Sequence, residues 1–170
     1  MLYTKMGKLI CAALLALAIG SVSVTAIAAE GSGIVVASRG AVSAEASGES
    51  RALKQGDKIF VEDKISTGDK SFAVLQFVDG AKVTVRPNSA VIVEQYVYDG
   101  EGEDNGTLSL VEGGLRIITG AMAKSNPESY KVRTPVALMG VRGTEFAVML
   151  CGDNVCAEGQ ETETGLPEGL

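Results

Sequence analysis

The chain predicts an all-β domain, built as an antiparallel β-sandwich, a barrel-like sheet or a coiled stack of short hairpins. Three observations carry that expectation. From Gly33 onward apolar residues alternate with polar ones at period two, and no stretch keeps helical periodicity. Asp79-Gly80 separates two alternating runs, among the strongest short-range hairpin signals. The 21 glycines fall mainly between the apolar runs, where turns need them.

Taken in order, Gly33 to Ser38 and Lys58 to Val61 are short candidate strands. Phe72 to Val78 and Ala81 to Arg86 flank the Asp79-Gly80 turn. In the second run Val83 and Val85 face one way while Lys82, Thr84 and Arg86 face the other, so one face is buried and one is wet. Pro87 ends that strand, because proline cannot donate to a ladder. Ala90 to Val97, Thr107 to Val111, Leu115 to Thr119, Ser129 to Arg133 and Thr144 to Cys151 follow at short intervals. Glu112-Gly113-Gly114 joins the second of these to the third. Residues 98–106 form an acidic, glycine-rich loop, and residues 157–170 read as a flexible acidic tail or the point where a longer protein is cut.

Residues 1–28 read as a cleavable signal peptide. Lys5 and Lys8 precede the apolar run Leu9 to Ile19, and Ala26-Ile27-Ala28 closes it with a small-x-small site. A retained anchor needs about twenty apolar residues, and Gly20, Ser21, Ser23 and Thr25 weaken the stretch that could supply them. The expected domain is therefore 29–156. The 170 residues carry a formal charge of −6; without Lys5 and Lys8 the balance is 13 basic against 21 acidic residues, or −8. An acidic domain lacks the electrostatic footprint for nucleic acid or anionic membrane. Cys151 and Cys156 remain after processing, and an exported chain meets an oxidising compartment. With Asp153-Asn154 as a two-residue turn, the two cysteines face each other in a closely spaced pair, which predicts a disulfide.

Little in the chain suggests catalysis. It contains no His, the commonest general base and transition-metal ligand. Neither S-x-x-K nor G-x-S-x-G occurs. Asp99, Glu101 and Glu103 alternate like a calcium loop, but Asp104 and Leu110 stand where an EF-hand needs Gly and Glu, so a solvated tip is expected. No catalytic residue, cofactor or metal is assigned. Arg142 lies between Gly140 and Gly143; it is read as a staple bonded to backbone carbonyls, with anion binding as the alternative.

Thr134-Pro135-Val136-Ala137-Leu138-Met139-Gly140-Val141-Arg142-Gly143-Thr144-Glu145-Phe146 resembles the T-P-x-A-x-x-G-V-R-G-T-x-F pattern that closes the FecR-type domain. Six further pieces appear in the expected order: Gly33 to Gly40, Leu53 to Asp57 with Gly56-Asp57, Ile65 to Gly68 with Thr67-Gly68, Ala73 to Val85 around Asp79-Gly80, Pro87 to Ser89, and Gly113 to Arg116. The resemblance spans about residues 33–150. It implies the periplasmic β domain of ferric-citrate-type sigma-factor regulators, here as a standalone exported member. Only about eight residues precede the apolar run, too few for the cytoplasmic anti-sigma segment that the complete pathway needs.

Three functions are in view. One is a sensor or adaptor that docks an envelope protein, in which case strand addition at a sheet edge is a natural mode. Another is a carbohydrate or cell-wall binding module, with Tyr96, Tyr98 and Tyr130 available for stacking. The last is a small-ligand sensor for a ferric chelate, which needs Arg116, Arg133 and Arg142 to converge.

Overall fold

The computed structural model describes residues 30–101, 103–141 and 145–151. Among the described residues, thirteen strands form two sheets. The six-stranded sheet has the order β13-β10-β7-β6-β1-β4: β1 Gly33–Arg39, β4 Lys58–Ile59, β6 Phe72–Phe77, β7 Lys82–Val85, β10 Gly114–Ile118 and β13 Glu145–Met149. The seven-stranded sheet runs β12-β11-β9-β8-β5-β2-β3: β2 Val42–Ala46, β3 Glu49–Ala52, β5 Lys64–Thr67, β8 Ser89–Val97, β9 Asn105–Glu112, β11 Tyr130–Arg133 and β12 Leu138–Gly140. All pairings are antiparallel except β9 with β11, which run parallel. The result is a sandwich; the sheets do not close into a barrel and hairpins do not stack into a coil.

The period-two pattern explains the layers. Val35, Leu75, Val83, Val85, Leu115 and Ile117 point inward from one sheet, and Ile65, Val91, Val93, Leu108, Leu110 and Val132 from the other. Each is at most 1 % exposed, and each such side chain stabilises by roughly 1.5–3 kcal/mol relative to leaving it in water. Between them stand the residues of the outer faces, polar ones such as Lys82, Thr84 and Arg116 together with apolar ones such as Ile34 and Ile118.

The chain passes repeatedly between the two sheets. A residue in the left-handed backbone region marks six of these crossings: Gly40, Gly56, Glu62, Lys70, Asn88 and Gly113. Residues 112–114 join β9 to β10 as expected, and the connection is a crossing between sheets. β9 belongs to one sheet and β10 to the other, so the chain turns inward at Gly113 with φ +71° against Asn88 and Ser89. The Asp79-Gly80 hairpin differs in detail. Its loop is three residues, Val78 to Gly80, with Gly80 N–H donating to Phe77 C=O and Gly80 in the left-handed region. That geometry is a turn followed by a left-handed bulge residue.

Several elements were not expected. The β2–β3 hairpin has only Val42 and Ala44 facing the core, too few apolar residues to register as alternation. Helix α1, Ala121–Ser125, is five residues and the 3-10 turn Pro127–Ser129 is three, both too short to show a period. Beyond the expected strands, Arg51 of β3 forms a two-pronged ion pair with the buried Asp63, Nη1 to Oδ1 at 2.8 Å. This pins an outer strand to the turn between β4 and β5.

We expect Gly113→Ala to cost about 3 kcal/mol or more, because a left-handed penalty of about 1–2 kcal/mol adds to a Cβ 2.2 Å from Ser89 Oγ and 2.4 Å from Asn88 O. Gly80→Ala, with open space around its Cβ, should cost only the backbone penalty of about 1–2 kcal/mol. Urea midpoints of the two variants measure the difference; equal losses would show that the Gly113 crossing is not tightly packed.

Candidate functional site

Two buried polar knots fix the frame. At one, the Thr67 hydroxyl donates to the Arg86 carbonyl at 2.5 Å and accepts from Ser89 N–H at 3.1 Å. Ser89 Oγ in turn accepts from Gly114 N–H at 2.8 Å and donates to the Pro87 carbonyl. The segments Thr67-Gly68, Pro87 to Ser89 and Gly113-Gly114, scattered over the sequence, therefore meet at one point. Beside them Ser71 Oγ accepts from Ala41 N–H at 2.9 Å where β1 passes to β2. At the β3–β4 crossing, Asp57 Oδ2 accepts from Lys54 N–H at 2.7 Å, and Gly56 N–H donates to the Val35 carbonyl.

The second knot centres on Asp79, a carboxylate only 6 % exposed. Its Oδ1 accepts from Tyr96 O–H at 2.7 Å and Ala81 N–H at 3.0 Å, and its Oδ2 from Met122 N–H at 3.4 Å. Its main-chain carbonyl accepts from Ala121 N–H at 2.9 Å. Gly120 presses against it so closely that any Cβ would meet Asp79 Oδ2 at 2.4 Å. Tyr96 stacks on Phe77 at 4.2 Å between centroids and meets Tyr130 edge-on at 6.2 Å. Burial pushes both tyrosine hydroxyls well above the ordinary range, helped at Tyr96 by Tyr130 and Asp79 and at Tyr130 by Asp79. Tyr130 Oη has no hydrogen-bond partner among the described residues. Of the three tyrosines available to a glycan-binding module, Tyr96 and Tyr130 are thus in the core, leaving Tyr98 partly exposed.

The second knot holds α1, and α1 delivers the chain to β11 and the β11–β12 hairpin. Thr134 turns that hairpin: its N–H donates to the Ala137 carbonyl at 2.8 Å, and its Oγ1 accepts from Ala137 N–H at 3.0 Å. Pro135 sits at the tip, where its missing N–H costs nothing. Val136 beside it is 89 % exposed, and Leu138 is 59 % exposed. Hydrogen-bonded pairs Thr134–Ala137 and Tyr130–Val141 place the outward N–H and C=O groups of β12 at Leu138 and Gly140, since pairs alternate along an antiparallel ladder. β12 is the last strand of its sheet. Next to it lies a groove of about 410 Å³ lined by Pro127, Glu128, Lys131, Leu138, Gly140 and Val141.

The remaining expected residues are placed as follows. Arg116 stands on the outer face of the six-stranded sheet, its Nε 2.6 Å from Glu145 Oε1. Arg133 stands on the outer face of the other sheet, 3.3 Å from Glu94. Arg142, Gly143 and Thr144 lie outside the described residues, as do Cys156 and residues 1–28; Phe146 is half-buried against the core. The acidic loop uses its own carboxylates: Asp104 Oδ1 accepts from Asp99 and Gly100 N–H groups. Among the described residues no group of three His, Cys, Asp or Glu could hold a metal ion, and no helix is long and apolar enough to cross a membrane. Asp63 with Arg51, and Gly120, were not singled out in the sequence, since neither belongs to a local pattern.

The fold and these contacts define a β-sandwich domain in which buried polar residues such as Thr67, Ser89 and Asp79 bond to its own backbone, and whose edge strands β12 and β13 each pair on one side only among the described residues. Over residues 63–170 the chain matches the FecR protein family, and it belongs to that family, one of regulatory and signalling domains. No curated protein and no solved structure matches it.

We expect Tyr96→Phe to destabilise by about 1–3 kcal/mol, because Asp79 loses a buried donor. Tyr130→Phe should be neutral or stabilising, because it removes a hydroxyl without a partner. Both tyrosines keep their protons in the folded state where the unfolded chain releases them. Stability is therefore full below about pH 10 and falls above it by roughly 1.4 kcal/mol per pH unit for each tyrosine. Chemical denaturation from pH 8 to 11 measures the slope; a flat profile would place both hydroxyls in water.

Proposed function

We propose that this chain is an exported, non-enzymatic sensor or adaptor of the bacterial envelope, and that it docks a protein partner along the free edge of β12. Membership of a regulatory family whose domains take part in envelope signalling supports the class of function. The observation that carries the mode is the edge position of β12, whose outward backbone groups at Leu138 and Gly140 have no partner strand among the described residues and lie beside the exposed Val136 and Leu138 side chains. An extended partner segment gains ladder hydrogen bonds there and buries two apolar side chains. The groove under β12 offers room for a side chain of that segment.

In this reading residues 1–28 direct export and are removed, and Cys151 and Cys156 pair in the oxidising compartment. The glycan reading loses support because Tyr96 and Tyr130 are buried. The ferric-chelate reading loses it because Arg116 and Arg133 stand on outer faces of different sheets, each beside a carboxylate.

Crosslinking the tagged protein in intact cells, followed by mass spectrometry, tests the proposal. A specific envelope protein should be recovered, with the tagged chain beginning at Ala29. The exposed double variant Val136→Asp/Leu138→Lys should cut recovery at least tenfold while leaving the melting temperature nearly unchanged, as exposed positions do. Recovery unaffected by the variant would overturn the β12 mode. Recovery of glycan fragments alone would overturn the adaptor reading.

A further inference from the structure

The outer face of the six-stranded sheet is basic, although the chain as a whole is acidic. Its strands carry Arg39, Lys58, Lys82 and Arg116, and Arg86 directly follows β7, whereas Glu145 is the only carboxylate in those six strands. Glu145 pairs with Arg116. Arg39, Lys58, Lys82 and Arg86 have no ion-pair partner among the described residues. Register places them on one surface. One row crosses the sheet as Met149, Gly114, Arg86, Phe72 and Arg39. Another crosses as Glu145, Ile118, Lys82, Gln76, Ile34 and Lys58. Ile34 at 44 %, Ile118 at 37 % and Met149 at 38 % exposure put apolar surface between the cations.

We propose that this face is a docking surface for a short acidic polypeptide, and that its occupant is the chain's own residues 157–170. That segment carries Glu158, Glu161, Glu163 and Glu168 and no basic residue, with Leu166 and Leu170 among them. Its point of departure fits. The described chain leaves β13 two residues past Met149, at the end of the row that contains Arg86 and Arg39. At about 4.8 Å per strand, Arg86 lies roughly 10 Å from β13 and Arg39 roughly 19 Å. With Cys151 and Cys156 paired, the reach counts from Cys156; residues beyond it span up to about 3.3 Å each, so Glu161 reaches Arg86, and Glu163 and those after it reach Arg39. A short segment meets only the local field of the face, whereas a long polyanion or an anionic membrane also meets the repulsion of a chain at −6. The Arg116–Glu145 pair shows how a carboxylate seats on this surface.

Zero-length carbodiimide coupling of the full mature protein tests this, because it joins only a carboxylate and an amine already in contact. We expect bonds from Lys82 and Lys58 to Glu158, Glu161, Glu163 or Glu168, within a single chain, and their loss at 0.5 M NaCl. Arg39→Gln/Arg86→Gln leaves every reactive lysine and glutamate in place and should reduce that coupling at least fivefold. If the double variant does not fold, the salt dependence of the unsubstituted protein decides. Coupling of the tail equally to Lys54, Lys64 and Lys131, or none at all, would overturn the proposal. So would coupling seen only between two chains, or salt-sensitive binding of heparin or of vesicles with one-third anionic lipid in the absence of tail coupling.

Discussion

A backbone that leaves one sheet for the other abandons its ladder partners inside the protein, and buried N–H and C=O groups without partners are costly. This chain makes that passage again and again, and each described crossing is closed by a specific polar contact. Ser71 serves the β1–β2 passage, Asp57 the β3–β4 passage, Asp63 the turn before β5, and the Thr67–Ser89 knot the passages around residues 68, 87 and 113. Asp79 does the same for the return through α1. The apolar interior supplies most of the stabilisation, but it is indifferent to which strand joins which sheet. The crossings decide the topology, and so decide that β12 and β13 become edges.

The resemblance to the FecR pattern acquires a physical meaning from these contacts. Several of its described residues bond to one another and to the backbone at the sheet crossings. Gly40, Gly56-Asp57, Thr67-Gly68, Pro87 to Ser89 and Gly113-Gly114 all fall where the chain changes sheet. Asp79 lies in a hairpin within one sheet, yet its carboxylate reaches Tyr96 of the other. The family match begins at residue 63, while β1 lies between β6 and β4, and β2 pairs with β5.

What was legible in the sequence follows the range over which each signal acts. The strands from Phe72 to Val85 were legible because alternation and Asp-Gly lie within a few residues of one another. The assignment of β9 and β10 to different sheets was not, since a glycine pair looks the same in a hairpin and in a crossing; only the contact of Gly113 with Asn88 and Ser89 separates them. The β2–β3 hairpin was missed because an outer hairpin needs few apolar residues. The burial of Tyr96 and Tyr130 was not legible, because an aromatic ring has no local mark that tells a core position from a surface one. Tyr96 is placed by Asp79 and Phe77, 17 and 19 residues before it in the chain.

Charge shows the same limit in another form. Net charge is a sum over the chain, whereas a partner responds to the field within roughly 8 Å at physiological salt. The carboxylates of this protein concentrate in loops such as residues 98–106 and in the last fourteen residues, while β1, β4, β7 and β10 each carry one cation, Arg39, Lys58, Lys82 and Arg116. Alternation, the feature that identifies a strand, also sends every second side chain to one face. Sheet register then adds the contributions of separate strands into a single surface. An overall charge of −6 repels long polyanions from the molecule as a whole. It does not describe the face on which Arg39, Lys58, Lys82 and Arg86 stand together, and a segment short enough to sense only that face meets a cation.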